Sequence, residues 1–246
     1  MAETPITNPK KRKTLHDFFP PDQSKRGPKV LKDALGALTN TCISGLTIIT
    51  NFMSSVEESI ALEFLSRQPW RTDLARRVIH YGGTYCLMPP RTATPAERKM
   101  IESNILAADP IPSQLTFLLD KMVAQELYDT DRRPGYCIVN EYTETQGISA
   151  HVENFRFGEP VCALTMGDGD FMRFHELVKS DDGSVRSGKA AKAERTGRKR
   201  DVWLPPRSLL VMRGDARRKW QHEIVRGKKG RQEGWKRTSL TFRVEK

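Results

Sequence analysis

Apolar residues along this chain fall mostly in short bursts of strand length, separated by turn residues. Downstream of Gly135, such runs occupy 136–142, 161–166, 171–175, 202–204, 208–212 and 238–244, broken by turn residues such as Gly167-Asp168-Gly169-Asp170. Two more runs, 46–49 and 77–81, precede them, the second stopped by Gly82-Gly83. Helical spacing appears twice. Ser55-x-x-Glu58 has the form of a capping box opening a helix with Val56, Ile60, Leu62, Phe64 and Leu65 on one buried face. Residues 112–127 place Leu115, Leu118, Leu119, Met122 and Val123 on another. Many short strands with few helices predict a mainly β fold with flanking helices (α+β), a sandwich or open barrel with its helices packed outside.

Two segments lack either pattern. Residues 1–40, with Pro5, Pro9, Pro20, Pro21 and Pro28 among polar and basic residues, read as a flexible basic tail, leaving 41–246 as the folded domain. Residues 178–200 hold no large apolar side chain beyond two valines, and are expected to be a flexible basic insertion rather than a strand.

Composition narrows the class. At 246 residues the chain can bury a core without staples, and it has no apolar run long enough for a transmembrane helix. Residues 1–13 lack the apolar centre of a secretory signal, so export is not expected. Cys42, Cys86, Cys137 and Cys162 lie far apart, which fits a reducing compartment better than a disulfide framework or zinc ribbon. The net charge of +11 is local: 1–35 carry +4, 179–200 carry +5 and 213–237 carry +7, so the remainder is mildly acidic. A basic periphery on an acidic body suits a polyanion such as nucleic acid, whose phosphates release counterions to Lys and Arg. Solubility and nuclear import are the plainer uses of the same charge.

Chemistry concentrates in few residues. His151 and Glu153 are two apart, so in extended structure they share a face. With the distant His222 they make two imidazoles and one carboxylate, the donor set that leaves three open positions on a non-haem iron. Arg237 and Arg243 are six residues apart, which also puts both on one face of a strand. Guanidinium groups buried there need anions, and a dicarboxylate would serve both. Surface arginines on an edge strand are the alternative.

Taken in order, Asn140-x-Tyr142, His151-x-Glu153, His222 and the Arg237–Arg243 stretch RTSLTFR resemble the AlkB-like Fe(II)/2-oxoglutarate dioxygenases; PRSLLVMRG at 206–214 is similar to eukaryotic members. The resemblance implies a distorted double-stranded β-helix (jelly-roll) holding Fe(II) and 2-oxoglutarate. It implies His151, Glu153 and His222 as iron ligands. Arg237, Tyr142 and Ser239 would hold the distal carboxylate of 2-oxoglutarate, and Asn140 and Arg243 its iron-chelating end. The implied activity is oxidative demethylation of nucleic-acid bases, in DNA repair or RNA modification. One position departs from the family: its pattern is His-x-Asp, and Glu153 is one methylene longer. Two other readings therefore stay open, a hydroxylase of a protein or small molecule with the same iron machinery, and a nucleic-acid-binding module that has lost catalysis.

Outside the core, Pro9-Lys10-Lys11-Arg12-Lys13 resembles a nuclear-import signal, which predicts a nuclear protein. Leu15, Phe18 and Phe19 resemble the apolar half of a sliding-clamp-binding peptide, although Arg12 stands where a leading Gln is usual. Arg76, Arg77, Tyr81 and Tyr85 are candidates to stack on a base or hold a phosphate. Arg217, Arg218, Lys219, Lys228 and Lys229, flanking His222, are the stronger phosphate candidates. His80 and His175 are read as structural. A monomer without membrane association is expected.

Overall fold

The computed structural model describes residues 38–83, 92, 94–97, 107–180 and 193–246. The import-like and clamp-like motifs, Leu15, Phe18 and Phe19 included, lie outside the described residues, as do Tyr85, Cys86 and residues 181–192.

Alternating apolar and polar positions here build two antiparallel sheets. The larger has the order β1-β2-β9-β6-β11-β4-β3: Leu38–Asn40, Leu46–Ile49, Leu209–Met212, Val161–Gly167, Arg237–Arg243, Tyr136–Tyr142 and Arg77–Tyr81 respectively. The smaller has the order β5-β10-β7-β8: Ile148–His151, Trp220–Ile224, Asp170–Leu177 and Arg195–Leu204. The fold is a jelly-roll. Period-two geometry sorts the side chains of the larger sheet's central strands between two cores. Outer-face residues Cys137, Val139, Cys162, Leu164, Leu209, Leu240 and Phe242 pack with Leu115, Leu118, Leu119 and Met122 of a helix, Ser113–Ala124 (α2), and Ala61 and Leu65 of Ser55–Ser66 (α1). Inner-face residues Ile48, Tyr142, Val161, Ala163, Leu210 and Met212 meet Met172, Phe174, Leu204, Trp220 and Ile224 of the smaller sheet. The site lies among the polar residues of these inner faces.

Four expectations change. The capping box is real but begins one residue earlier: Ser54 Oγ accepts from the Glu57 amide at 3.2 Å and Glu57 Oε2 accepts from the Ser54 amide at 2.7 Å. The buried face is set by Glu58, Ala61 and Leu65, spaced i, i+3 and i+7, which leaves Val56 (66% exposed) and Ile60 (55%) on the solvent side. Glu58 is buried instead, accepting from the Gly167 amide and from Arg207, each at 2.9 Å. The second helix ends at Ala124, three residues short of expectation.

Regular structure starts at Leu38, inside the stretch read as tail, because β1 adds to the edge of β2. The insertion is also shorter than 178–200: Arg195–Arg200 belong to β8, paired along β7 from Leu177↔Arg195 to Asp170↔Leu204. An edge strand exposed on both faces needs no apolar alternation, and cations blunt such an edge against further pairing. Charge therefore hid a strand.

Candidate metal and cosubstrate site

β5 and β10 lie side by side, with His151 opposite His222 in register. Their rings stand 4.4 Å apart between centroids. Gly147, at the start of this arrangement, approaches the β10 backbone so closely that an added Cβ would lie 2.2 Å from the Ile224 carbonyl oxygen. Only glycine lets the loop enter there. Arg231 ties the same loop down, donating to the carbonyls of Glu144 (2.9 Å), Gln146 (2.7 Å) and Val225 (3.2 Å), and to Asp170 Oδ2 (2.7 Å). Sequence patterning gave no sign of this buried arginine hub.

Glu153 follows β5 and is 5% exposed. Its Oε1 lies 3.5 Å from His222 Nε2, and one ligand atom from each of His151, Glu153 and His222 falls within 4.8 Å of the others. The extra methylene of glutamate thus does not carry the carboxylate away from the imidazoles. His151 Nδ1 donates to the Ser149 carbonyl at 2.8 Å, leaving Nε2 as the lone-pair donor, a typical orientation for a metal-binding histidine. Burial, then His222, lower the His151 pKa to about 4, so the imidazole is neutral and able to ligate at physiological pH. Burial opposes ionisation of Glu153, but Arg243 and the two histidines outweigh it, holding its carboxyl well below the usual range.

The second half of the site comes from β11 and β4. Their register sets Arg237 opposite Tyr142, Ser239 opposite Asn140, and Arg243 opposite Tyr136. Arg237 is 1% exposed. Its Nη2 donates to Thr165 Oγ1 at 2.8 Å, its guanidinium lies 5.6 Å from the Tyr142 ring centre, and its Nε has no partner among the described residues. A buried cation with an idle donor and no direct carboxylate partner is an anion site in waiting. Burial accordingly pulls its pKa below the ordinary arginine value. Ser239 and Tyr142 are buried beside it.

Arg243 is placed differently from expectation. Its Nε (2.8 Å) and Nη2 (2.7 Å) both reach Glu153 Oε2, so it holds the metal carboxylate. The longer glutamate spans the gap, offering one oxygen to the guanidinium and the other to the imidazoles.

The nucleic-acid candidates divide. Arg76 turns inward: its Nε donates to Asn140 Oδ1 at 2.7 Å. Arg77 pairs with Glu141 at 2.6 Å and covers the Trp70 ring. Tyr81 and Arg217 are buried. Arg217 donates to the carbonyls of Asn154 and Phe157 and sits 3.5 Å from Glu159, which corrects its assignment as a phosphate ligand: these partners use it to brace the loop after Glu153. Lys228 is held by buried Asp170 at 3.1 Å. Arg218 is exposed although paired with Glu159 at 2.9 Å, Lys219 is half-buried, and Lys229 is exposed.

Two imidazoles and a carboxylate, with a second buried guanidinium that keeps an idle donor on β11, are the donor set for Fe(II) and a dicarboxylate. Consistent with that geometry, residues 45–243 match the family model of the 2OG-Fe(II) oxygenase superfamily, and the chain belongs to that superfamily. It is a dioxygenase that uses Fe(II) and 2-oxoglutarate. Within the superfamily it is AlkB-like. An "Alkylated DNA repair protein ALKBH8 homolog" of Arabidopsis thaliana is 27% identical over 74% of this chain and 51% of its own length. The "RNA demethylase ALKBH9B" of the same plant is 23% identical over 87% of this chain and 41% of its own. An uncharacterized protein, L905, of Acanthamoeba polyphaga mimivirus is 27% identical over 82% of this chain and 85% of its own. The chain thus spans about half or less of the plant relatives. The solved structure of OsALKBH1 shares the fold, with a TM-score of 0.54 at 16% identity, over 84% of this chain and 99% of that one.

Proposed function

We propose that this dioxygenase removes alkyl groups from nucleic-acid bases by oxidation. When bound, Fe(II) and 2-oxoglutarate supply the oxidising chemistry, dioxygen being consumed as the cosubstrate is decarboxylated to succinate and carbon dioxide. Inserting one oxygen atom into a C–H bond of an N-methyl group gives an N-hydroxymethyl base. That product loses formaldehyde as its C–N bond breaks and a proton returns to nitrogen. The chain's own task is positioning. His151, Glu153 and His222 hold the metal, Arg243 holds Glu153, and Arg237 receives the distal carboxylate.

The observation that carries the substrate class is a single cross-strand row. His151 pairs with His222, His222 with Phe174, and Phe174 with Arg200, so all four side chains share one face of the smaller sheet. Strand spacing puts the Arg200 Cα about 10 Å from that of His222. Arg200 belongs to an exposed edge strand with Arg195, Arg198 and Lys199. Arg200 is the one of these level with the metal, and as part of an exposed, cation-rich edge it suits a polynucleotide whose target base must leave its stack to be oxidised. The names of the AlkB relatives support the same reading.

Methylated single-stranded DNA and RNA oligonucleotides, incubated with Fe(II), 2-oxoglutarate and oxygen, are expected to lose 14 mass units per methyl group and release formaldehyde. His222→Ala abolishes both. Turnover of 2-oxoglutarate that no oligonucleotide stimulates favours instead a protein or small-molecule hydroxylase.

A further inference from the structure

Arg76 lies between α1 and β3, in neither strand that supplies the cosubstrate residues. Its Nε donates to Asn140 Oδ1 at 2.7 Å, across 64 residues of sequence. An arginine N–H only donates, so this bond fixes which end of the Asn140 amide is oxygen and leaves its NH2 as a donor for an anion. The same guanidinium stands 5.9 Å from the centre of the Tyr142 ring, and Arg237 stands 5.6 Å from it. Tyr142 is therefore flanked by two cations, one from β11 and one from the segment entering β3. Asn140 and Tyr142 are adjacent inner-face residues of β4, and Arg76 touches both.

We infer that Arg76 is a positioning residue for 2-oxoglutarate: it orients the Asn140 amide as a carboxylate donor and adds positive potential beside Tyr142. This rests on the use of 2-oxoglutarate and is independent of which substrate is oxidised. It also assigns Arg76 away from the substrate-covering role that its place in the sequence suggests.

The test uses the full chain with Mn(II), which binds without supporting turnover, titrated calorimetrically with 2-oxoglutarate. Arg76→Ala and Asn140→Ala are each expected to weaken 2-oxoglutarate binding about tenfold, the scale of one hydrogen bond to a charged group. Because the two act as a unit, the double variant should be no more than about twofold weaker than the worse single one. Arg76→Lys, which keeps a charge and a donor, should recover part of the loss. Mn(II) binding in the absence of 2-oxoglutarate should stay within about twofold of the wild type in all of them. Unchanged 2-oxoglutarate affinity in Arg76→Ala would overturn the inference. So would losses that multiply in the double variant, or metal affinity that falls in parallel, since a merely structural arginine would do the latter. Weakened oligonucleotide binding with intact 2-oxoglutarate binding would make Arg76 a substrate contact and equally refute it.

Discussion

At Arg237 the site is at its least forgiving. Its guanidinium is fully buried and leaves Nε unused, so the protein bears a desolvation cost that only a bound anion offsets. Arg237→Met removes the charge while keeping much of the volume. The variant should bind 2-oxoglutarate at least about a hundredfold more weakly, since the lost partner is a charge-assisted pair, and its metal-free melting temperature should not fall. A drop in melting temperature with unchanged 2-oxoglutarate affinity would make Arg237 a structural residue.

His80 gives a second residue-level prediction. Burial, helped by Arg71, lowers its pKa to about 4 from an ordinary 6.5. Below pH 6.5 the unfolded chain takes up a proton that the folded protein refuses. Stability is therefore lost as pH falls from about 6.5 towards 4. Melting temperatures of metal-free protein across that window should decline, and His80→Gln should flatten the decline. An equal slope in the variant would remove His80 from the account.

The ligating residues were legible through the ordered resemblance to the AlkB-like dioxygenases, which joined the distant His222 to His151 and Glu153; spacing alone reported only which neighbours can share a face. His151 and Glu153, and likewise Arg237 and Arg243, are set by the chain's own repeat. What Arg243, Arg76, Arg217 and Arg231 would touch was not legible. Each reaches a partner far away in sequence, and a long flexible side chain's direction follows from tertiary packing rather than from local pattern.

Among the elements, α1 shows that apolar residues alone do not name the buried face. Glu58 shares a face with Ala61 and Leu65 and turns inward to join Gly167 and Arg207, while Val56 and Ile60 face water. Glu58→Ala should cost roughly 1–3 kcal/mol, because it strands a buried amide and an arginine. Val56→Ser and Ile60→Ser should stay within about 0.5 kcal/mol. Denaturant melts of the three variants check this, and the reverse ranking would restore the apolar face expected from the sequence. The strands behaved differently. Those buried on both faces, such as β4 and β11, declared themselves in the sequence as short runs rich in apolar, aromatic and β-branched residues. β5 and the first part of β8 did not, the one being short and only partly buried, the other charged and exposed on both faces. Yet β5 carries an iron ligand and β8 the cation-rich edge. Charge reversal at Lys199 and Arg200 should weaken oligonucleotide binding and reduce its salt dependence, with 2-oxoglutarate binding unaffected. Unchanged oligonucleotide affinity would remove that edge from the proposed function.

For the whole molecule, topology does what sequence distance conceals. His151 and His222 are joined by direct pairing of β5 with β10, and Arg243 reaches Glu153 across the gap between the two sheets. The central claim is that these groups form one pocket for Fe(II) and 2-oxoglutarate. Anaerobic titration of the metal-free protein with Fe(II) and then 2-oxoglutarate tests it most directly, through the visible charge-transfer absorption that arises only when the cosubstrate chelates protein-bound iron. The wild type should develop that band at one equivalent of each. His151→Ala and Glu153→Ala should not, and Arg237→Met should need far more 2-oxoglutarate. Absence of the band in the wild type, or its persistence in the ligand variants, would contradict the account.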